Sequence, residues 1–145
     1  MTRVDFHSNV PGKLAYACRL VRKAYLSNDG GHKVIVVGDQ AALQAFDTQL
    51  WTFSQLDFLP HCGLRHPLAD QTPILLADAA EPLDDAPHHD ILVNLSPEPP
   101  PLFARFARLI EIVGDDDADR AAARDRFRFY RDRGYPIQHH DVGRA

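Results

Sequence analysis

The chain has 145 residues, 45% hydrophobic and 25% charged, with a net charge of −4, which is the balance of one ordinary globular domain. No apolar run approaches the roughly 20 residues of a membrane-spanning helix, two cysteines are too few for a disulfide framework, and an acidic chain is poorly suited to wrapping nucleic acid. The opening Met1-Thr2-Arg3-Val4-Asp5 lacks the apolar stretch of an export signal, so a cytoplasmic location is expected.

Taken in chain order, the alternating Arg3 to His7 reads as a first strand, and Pro11 suits the first turn of a helix, where a missing N–H costs nothing. Leu14, Ala17, Cys18, Val21 and Tyr25 then recur at helical spacing, with Arg19, Arg22 and Lys23 on the opposite side, and Asn28 to Gly31 ends the helix. Lys33-Val34-Ile35-Val36-Val37 is a β-branched run of the kind found in central strands covered on both faces. Asp39 is placed to cap a second helix carrying Ala42, Leu43, Phe46 and Leu50.

The stretch from Trp51 to Gly63 is aromatic-rich and reads as loop with a short strand. Pro73 to Ala77 and Asp90 to Leu95 are two further buried strands, separated by an acidic, proline-bearing surface loop over 78–89. After the prolines at 97 and 99–101, a short helix is expected around Leu102, Phe103 and Phe106, then a strand over Leu109 to Val113. A last helix from about Asp117 to Arg133 stops at Gly134, and 135–140 forms an edge strand that tolerates Pro136. The order of strands and helices predicts one α/β domain over residues 1–145, a three-layer sandwich with a mostly parallel central sheet and helices on both faces.

The sequence lacks the motifs that would make such a sheet a nucleotide-binding site. No two glycines are separated by a single residue, so G-x-G-x-x-G cannot occur, and neither a P-loop nor a G-x-S-x-G elbow is present. His61, Cys62 and His66 lack zinc spacing, the pairs at 88–89 and 139–140 offer one ligand each at best, and no metal or other cofactor is expected. Asp84-Asp85 and Asp115-Asp116-Asp117 read as a solvated loop and an acidic helix start. A small enzyme with a pocket at the strand carboxyl ends, using Asp39, Asp78 and His7, stays open as an alternative because ligands of open α/β sheets gather at that edge.

The charge is unevenly distributed. Thirteen of the 16 basic residues are arginine, and residues 118–133 hold six of them against three aspartates. At 100° per residue Arg120, Arg124, Arg128 and Arg131 share roughly a 100° arc with Phe127. Like charges at i, i+4 oppose helix formation by about 0.2–0.5 kcal/mol per pair. A row of guanidinium groups beside a ring suits a peptide ending in a carboxylate with acidic and aromatic side chains. A solvated face paired with carboxylates, or a contact with a DNA backbone, are the other readings of the same stripe.

The segments Arg105 to Val113, Ala121 to Arg131 and Gly134-Tyr135, together with Trp51, Phe58-Leu59-Pro60-His61 and the strand-helix-strand opening, resemble the chi subunit family of bacterial DNA polymerase III along essentially the whole chain. The resemblance implies a mononucleotide-binding-like topology that binds no nucleotide, and a noncatalytic accessory of the clamp loader. It implies an adaptor between the acidic C-terminal tail of single-stranded DNA-binding protein and the psi subunit, touching DNA only indirectly and no membrane, with a repair helicase as a competing partner. Carried over by position, Arg124 clamps the tail's terminal carboxylate, Arg120, Arg128 and Arg131 attract its acidic side chains, and Phe127 and Val113 wall its aromatic pocket. Family members often have lysine at the outer basic positions and tyrosine at 127, so charge is kept here while a phenol is lost. Trp51, Phe58, Pro60 and His61 match the segment implied to meet psi, although a core position fits Trp51 equally well.

Overall fold

The computed structural model describes residues 1–27, 31–52 and 59–143. Among these residues seven strands and three α-helices follow one another as β1 (Arg3–Val10), α1 (Lys13–Tyr25), β2 (Val34–Gly38), α2 (Gln40–Thr52), β3 (His61–Gly63), β4 (Ile74–Asp78), β5 (Ile91–Asn94), β6 (Arg108–Gly114), α3 (Asp117–Asp132) and β7 (Ile137–Asp141). The strands form one sheet in the order β3-β4-β2-β5-β6-β1-β7. Every pairing among the described residues is parallel, so the sheet goes beyond the mostly parallel one expected.

Strand alternation divides the core into two layers. Val34, Val36, Ile74, Ile91, Val93, Ile110 and Ile112 face α1 and α2, where Ala17, Cys18, Val21, Phe46 and Leu50 are buried against them. Val4, Phe6, Ile35, Leu75, Leu92, Leu109 and Val113 face the other way, toward α3 with its Ala123 and Tyr130. Because β2 and β4 are covered on both faces, they need the continuous apolar runs that the sequence shows.

Several local expectations are met and three are corrected. Asp39 caps α2, with its Oδ1 accepting from the Ala42 N–H at 2.8 Å, and Gly134 takes the left-handed conformation at φ 79° after α3. Pro11 lies outside α1, which instead starts at Lys13 after the left-handed Gly12, because the chain must turn sharply on leaving β1. The helix expected around Leu102 to Phe106 is only a 3₁₀ turn over Phe103–Arg105, too short between the prolines and β6 to grow further. The acidic loop over 78–89 is not wholly at the surface: Leu83 and Ala86 are buried and close the α3-side layer where α3 does not reach.

The sheet ends at β7, which lies beside β1 and pairs His139 with Phe6 and His140 with His7. The Pro136 carbonyl just before it accepts from the Val4 N–H at 3.0 Å. Near the end of β1 the register with β6 shifts between His7 and Val10, and Asn9 adopts φ 55°. This irregularity places Asn9 within reach of Arg120 near the start of α3.

Candidate functional site

The position of α3 is fixed at both its start and its middle. The Asp116 side chain caps the helix by accepting from the Asp119 N–H at 2.7 Å. Asp119 in turn accepts from the Gly114 N–H at 2.6 Å and pairs with Lys13 at 3.2 Å, tying the helix start to β6 and α1. These acids fill the helix N-terminus that would otherwise attract an anion.

Farther along, Arg126 is buried, its Nε donating to Glu111 Oε1 at 2.9 Å and its Nη1 to the Pro97 carbonyl at 3.1 Å. Tyr130 donates its hydroxyl to Glu111 Oε2 at 2.5 Å, and Asn94 Nδ2 donates to the same carboxylate at 3.0 Å. Burial pushes the Glu111 carboxyl up, against the opposing pull of Arg126 and the hydrogen bonds. Burial and the adjacent Glu111 also push the Tyr130 phenol up, so it stays a neutral donor. Arg126 therefore belongs to the core network and adds nothing to the outer charge counted from the sequence.

With Ala123, Arg126 and Tyr130 turned inward, the adjacent side of α3 borders a groove of about 310 Å³. Phe6 and Ser8 of β1, Val113 of β6 and His139 of β7 form its sheet side, and Arg120, Ala123, Arg124 and Phe127 its helix side. The Phe127 ring meets Phe6 edge-on at 5.9 Å and His139 at 5.1 Å, while His139 stacks on Phe6 at 5.8 Å. The result is an aromatic, mostly apolar floor with two guanidinium groups at its rim. Among the described residues no carboxylate lines it.

The arginine stripe separates by partner. Arg120 approaches Asn9 Oδ1 at 3.4 Å and Asp117 at 3.8 Å. Arg128 pairs with Asp125 at 3.4 Å and Arg131 with Asp132 at 3.1 Å, both at exposed positions. Arg124 is exposed and makes no hydrogen bond or ion pair among the described residues. Four of the six residues carried over for the tail site, Val113, Arg120, Arg124 and Phe127, thus line one groove, and Arg128 and Arg131 do not. The helix geometry explains the split: Arg128 has rotated about 80° from Arg120, and Arg131 lies about 16 Å farther along the axis. Arg131 still reaches back over the outer face of Phe127, its guanidinium 5.8 Å from the ring.

Phe6, Ser8, Ala123 and His139 are groove residues that sequence reasoning missed. Alternation along β1 puts Phe6 and Ser8 on one face, but only the β1–β7 pairing brings His139 beside them.

The aromatic segment at the opposite end of the sheet forms a separate patch. Trp51 is 56% exposed, which makes it a surface residue. Its ring lies 4.7 Å from that of His61. His61 is held between the Leu59 carbonyl at 2.7 Å and Asp47 Oδ1 at 2.8 Å, and Pro60 is half-buried beside it. Phe58 lies outside the described residues. Of the residues of the alternative enzyme site, Asp39 and Asp78 lie at the ends of the neighbouring strands β2 and β4, but His7 is not brought to them. Asp39 caps α2, Asp78 Oδ1 accepts from the Ala80 N–H, and β5 and β6 separate both from His7 on β1. Among the described residues no group of three His, Cys, Asp or Glu is placed to hold a metal ion, and no helix is long and apolar enough to cross a membrane.

Comparison with known proteins finds relatives along nearly the whole chain. Residues 1–138 match the family described as DNA polymerase III chi subunit, HolC. The protein named DNA polymerase III subunit chi from Pseudomonas aeruginosa is 37% identical over 151 aligned positions, covering 99% of both chains. The protein of the same name from Haemophilus influenzae is 28% identical over 128 positions, covering 88% of this chain and 85% of that one.

Proposed function

The chain belongs to the chi family of DNA polymerase III subunits, and on that premise we propose that it is a replicase adaptor whose α3 groove holds the acidic C-terminal tail of single-stranded DNA-binding protein. Membership makes it an accessory subunit of the replicase. The tail assignment is supported above all by one observation: Arg124 stands unpaired among the described residues at the rim of an apolar groove without acids, while its neighbours along the helix have partners. A terminal carboxylate accepts two parallel N–H donors from that guanidinium. The aromatic residue bearing the carboxylate packs among Phe127, Phe6, His139 and Val113, and acidic side chains upstream meet Arg120, Arg128 and Arg131. The chain carries no catalytic role in this reading.

The exposed Trp51, with His61 and Pro60, supports a second interface at the far end of the sheet, which we assign to the psi subunit that links chi to the clamp loader. A repair helicase as partner would compete with this replicase role. Large exposed aromatics are frequent interface anchors, and this patch is separate from the groove, so one chain engages two partners at once.

The test is fluorescence anisotropy with an acidic peptide ending in Pro-Phe and a free carboxylate. Saturable, salt-sensitive binding is expected, weakened about 10–100-fold by Arg124→Ala and by amidation of the peptide end. Undiminished binding by folded Arg124→Ala, or by the amidated peptide, would remove the clamp assignment.

A further inference from the structure

A second cavity, of about 420 Å³, lies on the other face of the sheet, between α1 and β1, β5 and β6. Its volume is within the roughly 300–1,000 Å³ of small-molecule sites. Ile91 and Ile110 form an apolar floor, with Leu20 and Ala24 of α1 above them. The charge is concentrated at one side. Arg19 and Lys23, one turn apart on α1, are both exposed and have no hydrogen-bonding or ion-pair partner among the described residues. Arg19 contacts the Tyr16 ring, 5.7 Å from its guanidinium.

Arg108 faces these two residues from β6. Its Nη2 lies 2.8 Å from Asp5 Oδ2, but that buried carboxylate also attracts Arg3 at 3.5 Å, so two guanidinium groups share one negative charge. At the other end His32 and Asp90 pair at 3.0 Å. The uncompensated positive charge therefore stands over the apolar floor near Arg19, Lys23 and Arg108. Tyr16 and His7, hydrogen-bonded to each other through the hydroxyl and Nδ1, close that side.

We infer that this cavity is a ligand site for a small organic anion, an aromatic or aliphatic body with one carboxylate or phosphate head. The head lies among Arg19, Lys23 and Arg108, where it relieves the repulsion between two cations spaced at i, i+4. The body covers Ile91 and Ile110. The inference is independent of the tail assignment, since the two cavities share no lining residue and lie on opposite faces of β1.

The test is a titration of the full chain, followed through the methyl NMR signals of Ile91 and Ile110, with Val113 reporting on the α3 groove. The probes are benzoate, phenyl phosphate, benzyl alcohol and inorganic phosphate. Benzoate and phenyl phosphate are expected to shift the two isoleucines saturably, with benzyl alcohol and inorganic phosphate at least roughly tenfold weaker. The relative strength of the first two identifies the preferred head group. The double variant Arg19→Glu/Lys23→Glu, exposed on α1, is expected to abolish the response with its thermal melt unchanged. Should that variant unfold, Ala24→Phe fills the cavity without altering charge and is expected to abolish the response equally. Absence of saturable shifts at millimolar benzoate and phenyl phosphate, shifts confined to Val113, or an equal response to benzyl alcohol would each overturn the site.

Discussion

Arg126 and Arg124 are two residues apart on α3 and stand in opposite environments, Arg126 fully buried against Glu111 and Arg124 exposed, without a partner among the described residues, at the groove rim. The buried arginine orients the helix, and the exposed one is thereby aimed.

Arg126→Ala leaves the Glu111 carboxylate in the core with only Tyr130 and Asn94 as donors. Removing one member of a buried pair typically costs about 3–5 kcal/mol, and urea denaturation should show a loss of that order. A loss under about 1 kcal/mol would mean that Glu111 does not depend on Arg126.

The arginines of the stripe should differ in their contribution to tail binding. Arg128→Ala and Arg131→Ala remove side chains already paired with Asp125 and Asp132, so each should weaken the acidic peptide only about two- to threefold. Arg124→Ala should weaken it by at least about tenfold. Equal effects at all three positions, read by the same anisotropy titration, would indicate a diffuse electrostatic surface and no clamp.

Burial, with His140 next to it, pushes His7 down to about 4. The folded protein thus holds this ring neutral between pH 6.5 and 4, where the unfolded chain takes up a proton. Stability should therefore fall as pH drops through that window, by about 1–2 kcal/mol from His7 after allowance for its partial exposure. His7→Gln should flatten the slope of stability against pH between those limits. An unchanged slope would assign the acid sensitivity to other groups, of which His88, also pushed down to about 4 by burial, is the next to replace.

Asp116→Ala removes the side-chain cap of α3 and should cost about 1 kcal/mol in urea denaturation. Because Asp119 separately holds Gly114 and Lys13, the helix start should stay in place and peptide affinity should change less than twofold or so. A large loss of affinity with little loss of stability would show that the cap itself shapes the groove.

Trp51→Ala should leave stability within about 0.5 kcal/mol, as expected for an exposed side chain. The psi assignment predicts that the same change abolishes co-purification with psi while leaving the tail peptide bound. Retained psi binding would move that interface elsewhere.

The sheet and its helices were legible because their signals are local. Val34 to Val37 and Ile74 to Ala77 carry continuous apolar runs, and α3 announces itself by its period, its acidic start and Gly134. The 3₁₀ turn at Phe103 and the burial of Leu83 and Ala86 were not legible, since both depend on what the rest of the fold leaves uncovered. The groove was half legible. A helical wheel correctly brought Arg120, Arg124 and Phe127 together, but it projects along the axis and so could not separate Arg131, nor show that Arg126 pairs inward. His139 enters the site only through the pairing of β7 with β1, a contact between residues more than 130 positions apart.

The buried Glu111–Arg126 pair also bears on how this segment tolerates change over time. An α-helix turns 100° for each residue, so one residue inserted or deleted between 121 and 125 would set Arg126 and Arg120 out of step. Either the core would lose its ion pair or the groove would lose the Arg120 guanidinium. Single substitutions on the outer side of α3 meet no such conflict. Away from its groove and core positions the segment should thus drift in composition while keeping its length, and engineered loops or tags belong elsewhere in the chain.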